Sequence, residues 1–422
     1  MYKEVKEKLK IFVSAYACEP GLGSEIGVGW HWVLEMSKHF ELWVLTRESN
    51  RGTIEPWIAE HPEFAGIHFL YFDLPKWARF WKKGMRGVRT YYNIWQYCTN
   101  GIVKRTMREN EITIYHLLTY GNALWPVSRY GKKQFFIWGP TSVGTSTPAD
   151  FSKHYSFFSR LKEISQRLIK RTLFLNSGFK NRCRYADIIL CKTDETIECI
   201  PNEFKHKCIQ FTDVAVERKE TQKSSTNVRK GERTRYFSAG TLVGWRNFDI
   251  LIEAFARASS RNKDIELVIV GGGKEMGRLK KLAKERNVQD FIRFTGQLNM
   301  HDYNTEIQKS DVVVNSCFRE GGVTVSFDSM SFGKPLICFD TRGYTHYFKD
   351  EYSIVIKGVK KREDAIARLT ESILELSDKE IAHKMGKKAH EASNNYCWER
   401  KGEMIYDIIS NSYSRYESSD RS

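Results

Sequence analysis

The chain contains no closely spaced pair of cysteines and no long apolar run. Its nine cysteines are scattered over 422 residues without a CxxC pair, which argues against both a structural zinc site and a disulfide framework. A reducing compartment, the cytoplasm, is therefore expected. No apolar stretch reaches roughly 18 residues, the length that a membrane-spanning helix needs. The sequence predicts that any membrane contact is peripheral.

The composition is that of a soluble globular protein with an excess of positive charge. Hydrophobic residues make up 41% of the chain, charged residues 28%, and the formal net charge is +16. A surface with this charge attracts phosphates, nucleic acid or an anionic membrane. Because 422 residues exceed what one hydrophobic core normally serves, we expect two domains, or one domain with a large addition.

The N-terminal sequence "MYKEVKEKLKIFVSAYAC" superficially resembles a cleavable signal, with basic residues before a short apolar run. The run from Ile11 to Ala17 is at the short limit for such a segment. A first buried β-strand is the favoured interpretation.

Short apolar strands alternate with helical patterns along both halves of the chain. This alternation predicts parallel sheets flanked by helices. Residues 216–235 are almost free of apolar side chains and are expected to form an exposed linker. We predict two Rossmann-like doubly wound domains facing a cleft, at 1–215 and 236–394, followed by a helix at 396–415.

The stretch "NSCFREGGVTVSFDSMSFGKP" at 315–335 is the most informative in the chain. A buried strand is followed by Gly321 and Gly322, which let the backbone approach a ligand, and by a helix starting near Val323 whose free amides favour an anion. Glu320 in the loop and Asp328 in the helix suit hydroxyl groups. Together these residues predict a nucleotide-sugar site, although a helix cap plus a surface acid is the commoner origin of such a pair.

Two further glycine turns follow strands in the second half. "YFSAGTLVGWRNFDILIEAF" places Gly240 and the cation Arg246 before an amphipathic helix, where a diphosphate could be held. "LVIVGGGKEMGRLKKLA" supplies another turn, but a lone GGG is more often structural than functional.

On these residues the chain resembles the retaining glycosyltransferases of family GT4, which have the GT-B fold. The family's E-x7-E motif is matched as Glu320 to Asp328, and the resemblance implies that the first acid contacts the donor sugar and the second the ribose. The family's arginine position holds Thr241 and its lysine position holds Arg246. One diphosphate-binding cation is therefore missing. Arg319 is a candidate replacement; without one, donor affinity falls or catalysis is lost.

The N-terminal half resembles a narrower group in that family, through "SAYACEPGLGSEIGVGW", "TRESNR", "WGP" and an HxxTxG segment. This resemblance points to Gly23 as a donor contact and to His116 as a catalytic candidate, although a packed histidine is as plausible a role. The residues assigned to the acceptor side are Glu25, Gly139, Thr141 and Ser142.

The resemblance implies transfer of a sugar from a nucleotide-diphosphate donor, with retention of configuration and without a metal or other cofactor. It also implies that 1–215, completed by the helix at 396–415, is the acceptor domain and that 236–394 binds the nucleotide sugar. The expected acceptor is a glycan or lipid-linked molecule of the cell envelope. No residue is marked as a covalent nucleophile, so electrostatic stabilisation of the leaving diphosphate would carry catalysis.

The segment "PKWARFWKKGMRGVRTYYNIWQY" at 75–97 interleaves aromatic and basic residues. As one helix it would present an aromatic side and a basic side, suited to an anionic membrane. The alternative is an aromatic stripe that faces the core.

Two other functions are compatible with the sequence. One is a non-catalytic basic protein that binds RNA or another polyanion, although no RNA-binding motif is present. The other is a GT-B relative that isomerises or hydrolyses a nucleotide sugar.

Overall fold

A computed structural model of the chain describes residues 8–81, 87–120, 123–124, 134–218, 232–319 and 323–420. The chain divides into two compact units. Unit 1 comprises Met1–Val143, Thr172–Asp213 and Trp398–Ser422, and unit 2 comprises Gly144–Arg171 and Val214–Cys397. Residues 144–171, which the predicted boundaries placed in the first domain, thus group with unit 2.

Unit 1 is built on a seven-stranded sheet in the order β3-β2-β1-β4-β5-β6-β7, with every neighbouring pair parallel. Strands and helices are numbered along the whole chain. The strands are β1 Lys10–Ser14, β2 Glu41–Thr46, β3 His68–Tyr71, β4 Ile114–Leu117, β5 Phe135–Thr141, β6 Ile188–Cys191 and β7 Cys208–Gln210. The helices are α1 Ser24–His39, α2 Arg51–Glu60, α3 Val88–Cys98, α4 Asn100–Glu109, α7 Ser177–Tyr185, α8 Asp194–Cys199 and α15 Trp398–Asp420.

Unit 2 repeats this plan with six parallel strands in the order β10-β9-β8-β11-β12-β13. The strands are β8 Thr234–Ala239, β9 Ile265–Val270, β10 Ile292–Gly296, β11 Val312–Asn315, β12 Leu336–Phe339 and β13 Ser353–Ile356. The helices are α5 Ala149–Ser152, α6 Phe157–Thr172, α9 Phe248–Arg261, α10 Met276–Glu285, α11 Met300–Gln308, α12 Thr324–Ser331, α13 Arg362–Glu375 and α14 Lys379–Ser393. The prediction of two parallel-sheet α/β domains is confirmed.

The strands form where the sequence is apolar on both faces. β11, for example, reads VVVN and all four residues are buried, as expected for a central strand of a parallel sheet covered by helices on both sides. The segment from Ile11 to Ala17 is likewise buried, and most of β1, Lys10–Ser14, lies in it.

The aromatic segment at 75–97 does not form one helix. A short 3₁₀ turn covers Lys76–Ala78 and α3 begins only at Val88. Tyr92 and Trp95 are fully buried in the core of unit 1, so the core-facing alternative is correct for the α3 part and the membrane interpretation is wrong there. Three of the basic residues of this segment, Lys82, Lys83 and Arg86, lie outside the described residues.

The C-terminal helix α15 packs in unit 1. Trp398 at its start stacks on His31 of α1, with ring centroids 5.0 Å apart, and Tyr413 hydrogen-bonds Thr113 at 2.7 Å. Within the described residues, no helix is long and apolar enough to cross a membrane. Most of the predicted linker also lies outside those residues.

Candidate active site

The strand order of unit 2 defines where a ligand is expected. β8 and β11 are neighbours, and the chain winds outward from them in opposite directions, to β9 and β10 on one side and to β12 and β13 on the other. Ligands of doubly wound sheets bind beyond the carboxyl ends of the strands at such a switch point. The loops that follow β8 and β11 carry the predicted Gly240–Arg246 and Arg319–Val323 segments.

These two loops are fastened to each other. The Ser316 hydroxyl donates a hydrogen bond to the Arg246 carbonyl oxygen at 2.9 Å. Two guanidinium groups contact the ring of Trp245: Cζ of Arg246 is 5.1 Å and Cζ of Arg319 is 4.9 Å from the ring centroid. Arg246 and Arg319, which lie in two different loops, therefore contact the same aromatic ring. Each of them gains a favourable cation–π contact.

Gly240 is required by the position of Arg246. A Cβ atom at Gly240 would lie 2.3 Å from Nη1 of Arg246, because the guanidinium group packs directly against this turn. A larger residue at position 240 would displace the guanidinium group. Thr241, the next residue, is exposed. Because its side chain is neutral, the cationic charge of this loop comes from Arg246.

The GGG turn after β9 supports the neighbouring loop. A Cβ at Gly271 would approach the Gly240 carbonyl oxygen to 2.0 Å, and one at Gly273 would approach the Leu242 carbonyl oxygen to 2.3 Å. Gly271 also has a φ of +133°, which L side chains rarely adopt. Close packing of two backbones thus explains these glycines, which favours the structural interpretation of the turn.

Arg319 already has a buried carboxylate partner. Its Nη1 donates to Glu163 of α6 at 2.6 Å, and the two side chains are 9% and 1% exposed. The other Glu163 oxygen accepts the amide of Thr147 at 2.8 Å. No local sequence pattern identifies Glu163 as the partner, because 156 residues separate it from Arg319.

Asp328 lies in α12 and is largely buried. Its Oδ2 accepts a hydrogen bond from the Tyr303 hydroxyl of α11 at 2.7 Å. Burial, reinforced by this carboxylate, holds the pKa of Tyr303 well above its usual range, so the phenol remains a donor at any physiological pH. Tyr303 is a second residue that sequence reasoning missed.

Glu320, Gly321 and Gly322 lie outside the described residues. Arg319 and Val323 bracket them. Val323 is buried and immediately precedes α12, and its aliphatic side chain cannot cap the first amides of that helix. The predicted role of Glu320 and its two glycines stays a prediction.

The corresponding edge of unit 1 holds the other predicted residues. β1 and β4 are neighbours at its switch point, and Oε1 of Glu25, in the first turn of α1, accepts the backbone amide of Tyr120 at 2.8 Å. Crowding by surrounding protein raises the pKa of Glu25, while Lys192 opposes that shift; part of the side chain still contacts water. Gly23, which precedes α1, is exposed.

His116 lies within β4 and is fully buried. Its Nε2 is 2.7 Å from the Gly139 carbonyl oxygen, so Nε2 carries the proton and donates it. Burial lowers the pKa of His116 to about 4, and the bond to Gly139 opposes this shift. The imidazole is therefore neutral and packed, which agrees with the interpretation of His116 as a packed histidine. Contact of His116 with a substrate stays a prediction.

The remaining acceptor-side candidates follow the same edge. Gly139 and Thr141 are buried at the end of β5, whereas Ser142 is half-buried in the next loop. Gly139 has a φ of +118°, and a Cβ there would lie 2.4 Å from the Leu190 carbonyl oxygen. Gly139 and Thr141 thus hold the strand end, and Ser142 is the more accessible of the three.

A charged cluster near this edge was missed by sequence reasoning. Lys192, after β6, pairs with Asp213, after β7. Lys401 of α15 donates from Nζ to the Thr212 carbonyl oxygen at 2.6 Å and lies 4.3 Å from the centroid of Phe211. Burial lowers the pKa of Lys401 to about 7; Asp213 opposes this shift and Lys192 adds to it.

Within the described ranges, no group of three or more His, Cys, Asp or Glu side chains is arranged to hold a metal ion.

Comparison with known proteins shows which family the residues of this site resemble. The sequence model of the family "Glycosyl transferases group 1" matches residues 219–392. These residues belong to the group 1 glycosyltransferases. The matched range contains Arg246, Arg319 and Asp328, so the loops at the β8–β11 switch point are part of the group 1 domain.

Individual relatives agree with the family match over part of their length. An uncharacterized glycosyltransferase of Haemophilus influenzae is 30% identical over 111 residues, which are 26% of this chain and 31% of that protein. A GDP-mannose-dependent alpha-(1-6)-phosphatidylinositol monomannoside mannosyltransferase of Mycobacterium tuberculosis is 27% identical over 192 residues, 43% of this chain and 48% of that protein. The chain thus spans less than half the length of these curated relatives.

Solved structures establish the fold over nearly the whole chain. WaaG, a glycosyltransferase involved in lipopolysaccharide biosynthesis, superposes with a TM-score of 0.59 at 15% identity, covering 94% of this chain and 99% of that one. At this identity the likeness shows the GT-B fold alone. The predicted fold and the resemblance to GT4 glycosyltransferases are confirmed.

Proposed function

We propose that the protein is a retaining glycosyltransferase that moves a sugar from a nucleoside diphosphate donor to a glycan or lipid-linked acceptor in cell-envelope synthesis. The observation that carries this proposal is the convergence, at the switch point of the group 1 domain, of Arg246 and Arg319 on Trp245. The mannosyltransferase relative, which by its name uses GDP-mannose and acts on a phosphatidylinositol glycolipid, supports the donor and acceptor classes without identifying either.

The diphosphate is assigned to Arg246 and the first amides of α12. Arg319 is paired with the carboxylate of Glu163, and Arg246 is the second guanidinium group beside Trp245. A helix N-terminus contributes roughly half a unit charge more. These two sources replace the cation that is absent at Thr241.

The sugar and ribose hydroxyls are assigned to the two acids. Glu320 would contact the donor sugar and Asp328 the ribose. Asp328 can accept further hydrogen bonds while Tyr303 occupies Oδ2, because a carboxylate has about four lone-pair sites. The phenol therefore orients the carboxylate rather than blocking it.

The transfer breaks the bond between the anomeric carbon and the diphosphate oxygen and forms a bond from that carbon to an acceptor oxygen on the same face. The acceptor's proton passes to the leaving diphosphate oxygen, so no protein base is needed. Arg246 and the α12 amides stabilise the negative charge that develops on the leaving group. His116 is assigned a supporting role, because its bond to Gly139 holds the end of β5. Glu25 and Ser142 are assigned to the acceptor side, and Gly23 to a donor contact.

Nucleotide binding tests the donor site directly. We expect thermal stabilisation by one of UDP, GDP or ADP, and not by an RNA oligonucleotide. Arg246→Gln should weaken nucleotide binding about 10- to 100-fold, because it removes a charge-assisted hydrogen bond. Arg293→Gln is the matched control: this arginine of the same unit is half-exposed and pairs with Glu306, away from the switch point. Equal loss in both variants, or a response to RNA alone, would refute the proposal.

Turnover tests the assigned chemistry. Glu320→Ala should reduce sugar transfer by roughly 100-fold or more without changing the unfolding temperature. Product anomers identified by NMR decide retention, and release of free sugar without an acceptor would indicate a hydrolase instead. Wild-type transfer by Glu320→Ala would remove the assignment of that residue.

A further inference from the structure

Helix α6, Phe157–Thr172, is oriented with its apolar side outward. Phe157 and Phe158 are 74% and 81% exposed, Leu161 54%, Ile164 50% and Leu168 61%. At about 100° per residue these side chains lie on one side of the helix. Helices on protein surfaces normally bury their apolar side, whereas α6 exposes its apolar side to solvent.

The polar side of α6 faces the protein. Glu163 is buried in its pair with Arg319. Nη2 of Arg167 donates to the Thr147 carbonyl oxygen at 2.9 Å and to the Ser152 hydroxyl at 3.0 Å. These buried bonds fix the rotation of the helix about its axis. Turning the apolar side inward would break them and leave buried charges unpaired, which is costly.

Basic residues border the apolar side. Arg160 and Arg171 lie along one edge and Lys162 along the other, and all three are exposed. The acid of α6, Glu163, is on the inner side. Immediately beyond the helix the chain adds Phe174 and Leu175, which are 72% and 69% exposed.

We propose that the outward side of α6 docks on an anionic lipid bilayer. An interfacial helix places its apolar side among the acyl chains, and basic residues at its border meet the headgroups. The net charge of +16 favours the same surface. A second copy of the chain is a poorer occupant, because its own Arg160, Lys162 and Arg171 would oppose those of the first. The proposal does not depend on the donor assignment.

Vesicle sedimentation tests this docking. The full chain should bind phosphatidylcholine vesicles in which about one lipid in three is phosphatidylglycerol, and bind pure phosphatidylcholine far less. Phe158→Ser with Leu161→Ser should weaken binding at least about tenfold, because two side chains lose apolar burial. Ile381→Ser is the apolar control, since Ile381 is exposed on α14.

Charge is tested separately. Arg160→Gln with Arg171→Gln should weaken binding about fivefold for each charge removed. Lys280→Gln with Lys384→Gln changes the net charge equally at exposed positions elsewhere and should have a smaller effect. Unchanged circular dichroism and unfolding temperature establish that each variant is folded.

Three results would overturn the proposal: no binding to anionic vesicles, equal binding by the Phe158/Leu161 variant, or a stable dimer in solution that this variant dissociates. The last would assign the surface to a second copy of the chain.

Discussion

The buried pair between Glu163 and Arg319 allows a quantitative test of how unit 2 holds its candidate site. Removing one partner leaves the other charge buried and unpaired, at a cost of about 3–5 kcal/mol. Glu163→Gln is the sharpest change: it keeps the side chain's shape and an oxygen for the Thr147 amide, 2.8 Å away, and removes only the charge. We expect this substitution to lower the free energy of unfolding of unit 2 by about 3 kcal/mol.

A double-mutant cycle separates the pair from the cost of each substitution. Glu163→Gln, Arg319→Met and the combination should give a coupling energy of about 2 kcal/mol or more, because the combined variant leaves neither charge stranded. The matched control is the pair of Arg257 with Glu363, whose side chains are 43% and 70% exposed and 2.5 Å apart. Water screens that pair, so its coupling should be below about 1 kcal/mol.

Native-state hydrogen exchange followed by mass spectrometry is the appropriate assay, because it reports local free energies in a chain of two units. Peptides that contain Thr147 and Arg319 should exchange faster in Glu163→Gln than in wild type, whereas peptides from unit 1 should not change. A coupling energy no larger than that of the Arg257–Glu363 control would refute the claim that burial makes this pair strong.

Three other substitutions test the sites. Gly240→Ala should displace the Arg246 guanidinium, 2.3 Å from the new Cβ, and weaken nucleotide binding in a titration. The unfolding temperature should also fall, because Gly240 has a φ of +153°, which L side chains rarely adopt. Burial lowers the pKa of His116 to about 4, so the unfolded state binds a proton before the folded state does as the pH falls below about 6.5. The free energy of unfolding should therefore decrease by up to about 3 kcal/mol by pH 4. In urea unfolding, His116→Gln should lack this part of the pH dependence. Lys401 has a pKa of about 7 in the folded protein but stays protonated in the unfolded state up to about pH 10. The free energy of unfolding of wild type should therefore rise by about 2 kcal/mol from pH 7 to 9 relative to Lys401→Met. Parallel curves of unfolding free energy against pH for the two proteins would contradict the assigned pKa.

The elements of the donor site that are close in the chain could be predicted from the sequence. The apolar run before Asn315 indicates a strand, and the turn at Gly240 followed by Arg246 indicates a loop and a helix, because period and turn chemistry are local properties. The contact of Arg319 with Glu163 could not be predicted. It depends on how α6 packs against unit 2, which no spacing between residues 163 and 319 records.

Periodicity also misleads where charge decides which side of a helix is buried. Aromatic residues of α3 such as Tyr92 and Trp95 follow the usual rule and enter the core. The apolar side of α6 does not, although its pattern is as regular, because Glu163 and Arg167 have buried partners that only the inner side can reach. A sequence pattern identifies an amphipathic helix, but the partners of its polar side determine its orientation.

This orientation connects the two charged features of unit 2. Arg319 adds little free charge at the switch point because Glu163 compensates it, and Glu163 is available only because α6 turns its polar side inward. The same rotation leaves Phe158 and Leu161 in contact with water, at a cost of about 25 cal/mol for each Å² of apolar surface. A sequence selected for stability alone would replace these two side chains with polar ones. Exposed apolar side chains beside a basic border are what an interfacial helix requires, which is the basis of the proposed docking on lipid.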